Sequence, residues 1–170
     1  MKEKRLKTKN MRGFTLVEML VAITVLLVGI ASPLTIASKG LFAARVARDQ
    51  MVASYLASEA IDYVRAVRDT NALQGSNWLS GLGPCDTGNG CKIDVVQGNV
   101  SGCGGSCDVF NLYQGSYQYA GQGIPTTFQR IIRVDETVSE QEATLSVTVN
   151  WQSGFITRSV TMEETLLNWQ

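Results

Sequence analysis

The hydrophobic pattern changes twice along the chain. From Gly13 to Ser38 the residues are mostly apolar and Glu18 alone carries a charge. The 25 residues from Phe14 to Ser38 predict a helix long enough to cross the roughly 30 Å hydrocarbon core of a bilayer. From Lys39 the pattern turns amphipathic. Phe42, Val46, Leu56, Ala60, Tyr63 and Val67 recur at three- and four-residue steps or their multiples, with Arg45, Arg48, Asp49, Glu59, Asp62, Arg65, Arg68 and Asp69 at other positions. The same helix is expected to continue to a turn near Asn71 to Gly75, with Arg65 and Arg68 suiting its negative end. It would span about 55 residues, on the order of 80 Å.

Residues 71–127 are rich in Gly, Ser, Asn and Gln and read as loops with short strands, such as Lys92 to Val96 and Val109 to Tyr113. Alternation then sharpens over Phe128 to Glu136, Ala143 to Gln152 and Phe155 to Leu166. In the second stretch Leu145, Val147, Val149 and Trp151 alternate with Thr144, Ser146, Thr148 and Asn150, which predicts one buried face and one wet face. Ser153-Gly154 is a tight hairpin signal. The expected fold is α+β: one long N-terminal helix packed on a small antiparallel sheet, because neither element hides its apolar face alone. The segments are 1–13, a basic leader; 14–38, the membrane half of the helix; 39–70, its soluble half; 71–127, the Gly- and Cys-rich loops; and 128–170, the sheet.

Charge adds a topology. The chain balances 15 basic against 15 acidic residues, but Lys2, Lys4, Arg5, Lys7, Lys9 and Arg12 all precede Phe14 with only Glu3 opposing them. The remainder carries a net of −5, which argues against nucleic acid as a partner. A basic flank stays cytoplasmic, so everything after Ser38 is expected outside. An ordinary secretory signal would have an uncharged apolar core of about 7 to 15 residues and a small-x-small cleavage site. This run is longer, and Glu18 interrupts it.

An ionisable group inside a membrane span costs about 3 kcal/mol by insertion scales and calls for a partner. The plainer account is that Glu18 snorkels to the interface, only about 7 Å of helix rise from Phe14. The sequence Arg12-Gly13-Phe14-Thr15-Leu16-Val17-Glu18 resembles the processing site of the type IV prepilin and pseudopilin family. The features that carry the likeness are a short basic leader ending in Gly13, a Phe at Phe14, and an acid at the fifth mature position. The resemblance covers about the first 40 residues. It implies a membrane peptidase that cuts between Gly13 and Phe14 and methylates the new amino group of Phe14. It also implies assembly with other pilin subunits on an inner-membrane platform, from a pool held in membrane lipid. Glu18 would then pair with the Phe14 ammonium of a neighbouring subunit. Gly29 and Pro33 fall where such subunits carry a helix-disrupting proline; the bland account is a tolerated kink. The stretch Leu56-Ala57-Ser58-Glu59-Ala60, followed by Val64 to Asp69, resembles the minor-pilin subgroup, the V-type pilins and I-type pseudopilins.

Cys85, Cys91, Cys103 and Cys107 are even in number and fall on the expected outer side, which favours two disulfides. Short loops suit the surrounding Gly and Asn turns, favouring Cys85 with Cys91 and Cys103 with Cys107. Zinc is the alternative, but the spacing lacks two short Cys pairs. Asp86-Thr87-Gly88-Asn89-Gly90 reads as a turn rather than a calcium loop, and Asn99-Val100-Ser101 matches a sequon that is frequent by chance. The chain has no His, which removes the commonest general base, and no constellation of other residues suggests an enzyme or a cofactor site. Two other classes share part of this pattern. A DNA-uptake subunit would show a basic patch on its head, and a stand-alone anchored binding protein would need neither Glu18 nor a processing site.

Overall fold

A computed structural model describes residues 13–86, 88–119 and 121–168. The leader expected over residues 1–13 lies outside them except for Gly13, as does Trp169. The chain divides into two compact units, Met1–Ala44 and Arg45–Gln170.

The first unit holds the start of α1 (Leu16–Leu73), and its apolar side chains from Phe14 to Phe42 are exposed. By length and composition the helix is able to cross a membrane. Phe42 is exposed like its neighbours, although its spacing matched the amphipathic stripe.

In the second unit the buried face of α1 consists of Ala53, Leu56, Ala57, Ala60, Ile61 and Val64. Three alanines on that face remove bulk where the sheet approaches. Val46, Tyr63 and Val67 flank it, half-buried. No basic side chain occupies the last turn. The end is instead secured by the backbone: the Ser76 N–H donates to Asn71 O at 3.0 Å and the Gly75 N–H to Ala72 O at 3.1 Å. This is a Schellman closure with Gly75 at φ +63, a conformation that costs glycine nothing. The Asn71 amide then bonds Trp78 O and Ser80 O, drawing the following loop against the helix end.

The sheet contains β1 (Cys91–Asp94), β2 (Asn99–Gly102), β3 (Val109–Tyr113), β4 (Ser116–Gln118), β5 (Ile124–Val138), β6 (Glu142–Ser153) and β7 (Ile156–Leu167), and every pairing in it is antiparallel. The long strand β5 pairs with β6 and also with β3 near its start and β1 at Ile132; β7 pairs only with β6. The loop-like region 71–127 therefore contributes four strands to the same sheet as residues 128–170. Strands β2 and β4 are short and polar, so they lack an alternation signal and exist through pairing with β1 and β3. Likewise β5 begins four residues before Phe128, because Ile124 and Pro125 pair with Leu112 and Asn111.

The first strand ends at Asp94, short of Val96. The buried Asp94 carboxylate accepts the N–H groups of Gln97 (3.2 Å) and Tyr119 (3.0 Å), which bends the chain away. The last hairpin turns on Gly154-Phe155 rather than Ser153-Gly154, since Ser153 keeps its ladder partner Ile156. Leu145, Val147, Val149 and Trp151 are buried, as their alternation requires, together with Trp78, Phe110, Ile132 and the small-residue face of α1.

Candidate assembly site

The N-terminal junction is built on the first turn of α1. Thr15 precedes the helix, and its Oγ1 accepts the backbone N–H of Glu18 at 3.2 Å. Thr15 is thus the N-cap and Glu18 the third helical residue, the Thr-x-x-Glu spacing of a capping box. The carboxylate also sits where the helix dipole favours negative charge. Sequence reading missed this local role for Glu18, although the Thr-x-x-Glu spacing was visible. Glu18 is exposed and makes no ion pair among the described residues. Phe14, 75 % exposed, precedes the cap, and Gly13 has open space around its Cα.

Gly29 and Pro33 are four residues apart within the continuous helix. Proline lacks the N–H that would bond the carbonyl four residues earlier, so the Gly29 carbonyl has no donor from position 33. The glycine adds backbone freedom at the weakened link, and a Cβ placed on it would meet nothing within 4 Å beyond the helix's own backbone.

In the head, the inconspicuous residue Arg130 ties three elements together. It is fully buried on the inner face of β5. Its Nη1 donates to Leu56 O at 2.6 Å and to Glu59 Oε2 at 2.8 Å on α1, its Nη2 donates to Ile93 O at 2.6 Å on β1, and the guanidinium lies 4.9 Å from the Phe110 ring centre. Tyr119 stacks on that ring at 4.3 Å. Burial pushes its hydroxyl pKa up to about 12, against the opposing pull of Arg130. Arg65 adds an exposed tie from α1 to Glu164 of β7, with bonds of 2.8 and 2.7 Å. Sequence alternation offered no way to find Arg130, since it occupies a core position with a charged residue.

Cys85 is bonded to Cys91, and Cys103 to Cys107. No cysteine is left free among the described residues, so none offers a thiolate to a metal. The first bridge is completely buried and fastens the short 3-10 turn Gly83–Cys85 to β1. The second closes the loop before β3, where Lys92 pairs with Asp108 and the Gln129 amide donates to Cys107 O. Beside the first bridge, Gly90 has φ +71, and a side chain there would meet Ile132 O at 2.7 Å. The neighbouring turn residue Thr87 lies outside the described residues, while Gly88 O accepts from Arg133 at 3.3 Å.

The prokaryotic N-terminal methylation motif matches residues 8–32, of which 8–12 lie outside the described residues. No curated protein and no solved structure matches the chain. The motif, the long N-terminal helix behind it and the small antiparallel head are together consistent with a type IV pilin-like protein.

Proposed function

We propose that the chain is a structural subunit of a type IV pilus or a related secretion pseudopilus, not an enzyme. It is processed between Gly13 and Phe14, methylated on Phe14, held in the cytoplasmic membrane with its head outside, and assembled through its N-terminal helix. The observation that carries this reading is Glu18, the lone charge in an exposed apolar run inside a matched methylation motif. A carboxylate in an apolar bundle is stabilised by a cation, and the Phe14 ammonium of an adjoining subunit is the nearest candidate. Gly29 and Pro33 are the positions at which the helix would loosen on assembly. The two disulfides serve the head mechanically, holding loops poor in apolar residues.

Mass spectrometry of the N-terminal peptide, from cells containing the peptidase, tests the reading. Methylated Phe14 as the first residue is expected. An intact leader, or an N-terminus near Lys39, would overturn it.

A further inference from the structure

The sheet divides at Gln129. From there on β5 pairs with β6, beginning with Gln129 opposite Asn150, whereas earlier residues of β5 pair with β3, Pro125 opposite Asn111 and Ile124 opposite Leu112. The end of β6 keeps its β7 neighbour alone, with Gln152 opposite Thr157. A cleft of about 380 Å³ lies where the strands part. Alternation puts Thr127, Gln129, Asn150, Gln152 and Thr157 on the face opposite the buried Phe128, Arg130, Val149 and Trp151, and all five line the cleft. No charged side chain lines it, and Val109 gives it an exposed apolar wall. Part of the lining is fixed. Thr126 Oγ1 donates to Phe110 O at 2.8 Å and accepts the Phe128 N–H at 3.2 Å. The Gln129 amide donates to Ser106 Oγ at 3.1 Å and to Cys107 O in the disulfide-closed loop, which leaves its Oε1 as an acceptor. The rest is uncommitted: the side chains of Thr127, Asn150, Gln152 and Thr157 make no hydrogen bond among the described residues.

We propose that this cleft binds a neutral oligosaccharide. The lining selects the ligand class. A sugar hydroxyl both donates and accepts, and a carboxamide offers both functions in one plane, so Asn150 and Gln152 can each bridge two adjacent hydroxyls of a ring. The hydroxyls of Thr127 and Thr157 take either role, and Val109 faces the C–H groups. The volume falls at the small end of ligand pockets, which run from about 300 to 1,000 Å³. A charged ligand would shed water here and meet no counter-charge. A nucleobase would need an aromatic platform, and Trp151, the one aromatic residue in the lining, is 3 % exposed. A peptide strand filling the fork would need backbone groups from β5, where Thr126 already engages the Phe128 N–H. The Gln129 and Thr126 bonds hold their walls before any ligand arrives, so little ordering is left to binding. Binding at this cleft needs no second copy of the chain and is independent of filament assembly.

The test uses the full chain, disulfides intact, in a detergent without a sugar headgroup. Saturation-transfer nuclear magnetic resonance is recorded with cellotriose, maltotriose, mannotriose and triacetylchitotriose at millimolar concentration, with trigalacturonate as the acidic control and N-acetyl-trialanine amide as a peptide of similar size. At least one neutral trisaccharide is expected to bind, and neither control to match it. Asn150→Ala and Gln152→Ala are each expected to weaken that binding at least tenfold. Thr144→Ala, on the same face of β6 outside the cleft, should leave it unchanged. No response from any of the four sugars would overturn the proposal, as would binding undiminished in both cleft variants. An equal or stronger response from the peptide would overturn it in favour of a peptide site, and from trigalacturonate in favour of an anion site. Should Asn150→Ala fail to fold, Gln152→Ala, at an exposed position, decides alone.

Discussion

Glu59 and Arg130 meet at 2.8 Å with very unequal exposure: the arginine side chain is completely buried while the glutamate is 40 % exposed. The asymmetry dictates which partner the head can lose. Removing the carboxylate strands a buried cation, at a cost of about 3 to 5 kcal/mol. Removing the guanidinium leaves a carboxylate that water reaches. Glu59→Ala is therefore expected to lower the melting temperature more than Arg130→Met, which keeps most of the volume. Thermal unfolding of the two variants, followed by near-ultraviolet circular dichroism, checks the order; the reverse order would mean that the Arg130 bonds to Leu56 O and Ile93 O outweigh the ion pair.

Glu18 has two candidate roles, and one substitution separates them. As the third residue of a capping box it is replaceable by Gln, whereas a counter-charge for an ammonium is not. Glu18→Gln should leave membrane insertion and cleavage intact and abolish uptake into filaments. Glu18→Val should behave the same way, with insertion equal or better by about 3 kcal/mol on insertion scales. The ratio of protein in sheared filaments to protein in membranes is the measurement. Normal incorporation of the Gln variant would assign Glu18 to the cap alone.

Gly90 and Gly75 share a left-handed backbone but differ in surroundings. Gly75 has open space around it, while a Cβ at Gly90 would lie 2.7 Å from Ile132 O. Gly75→Ala should cost about 1 kcal/mol from backbone strain, and Gly90→Ala clearly more, because backbone must move as well. Denaturant midpoints of the two variants provide the comparison, and equal costs would show that the backbone at Ile132 yields to the added methyl.

The two disulfides close loops of similar size, worth about 2 kcal/mol each by chain entropy. Cys85 and Cys91 are both fully buried in the main core, whereas Cys103 and Cys107 sit outside that cluster. Replacing the first pair by alanine should therefore destabilise the head more than replacing the second, since packing is lost along with the crosslink. Equal losses in denaturant unfolding would reduce both bridges to their entropic part.

Tyr119 predicts a pH dependence at the alkaline end. Its folded pKa of about 12 exceeds the ordinary 10, so its contribution is complete below about pH 10 and is lost as pH rises toward 12, where the unfolded chain ionises first. Tyr119→Phe should remove that part of the decline. Spectrophotometric titration of the folded protein should show one tyrosine ionising well after the exposed ones; its ionisation near pH 10 would contradict the burial.

The sequence by itself determined the features that depend on near neighbours. A long apolar run broken only by Glu18, a basic stretch ahead of it and strict alternation from Leu145 to Trp151 are all local patterns, and the long apolar helix and hairpin strands follow from them. Tertiary structure decided what depends on partners distant in the chain. Residues 99–102 and 116–118 are strands only because β1 and β3 lie beside them, and Pro125 joins β5 only because Asn111 faces it. Arg130 is legible as a core residue only once α1, β1 and Phe110 surround it. A guanidinium is tolerated inside when its charge is matched and its terminal N–H groups find acceptors, and those matches come from Leu56, Glu59 and Ile93, between 37 and 74 residues away, while the buried Nε has no partner among the described residues.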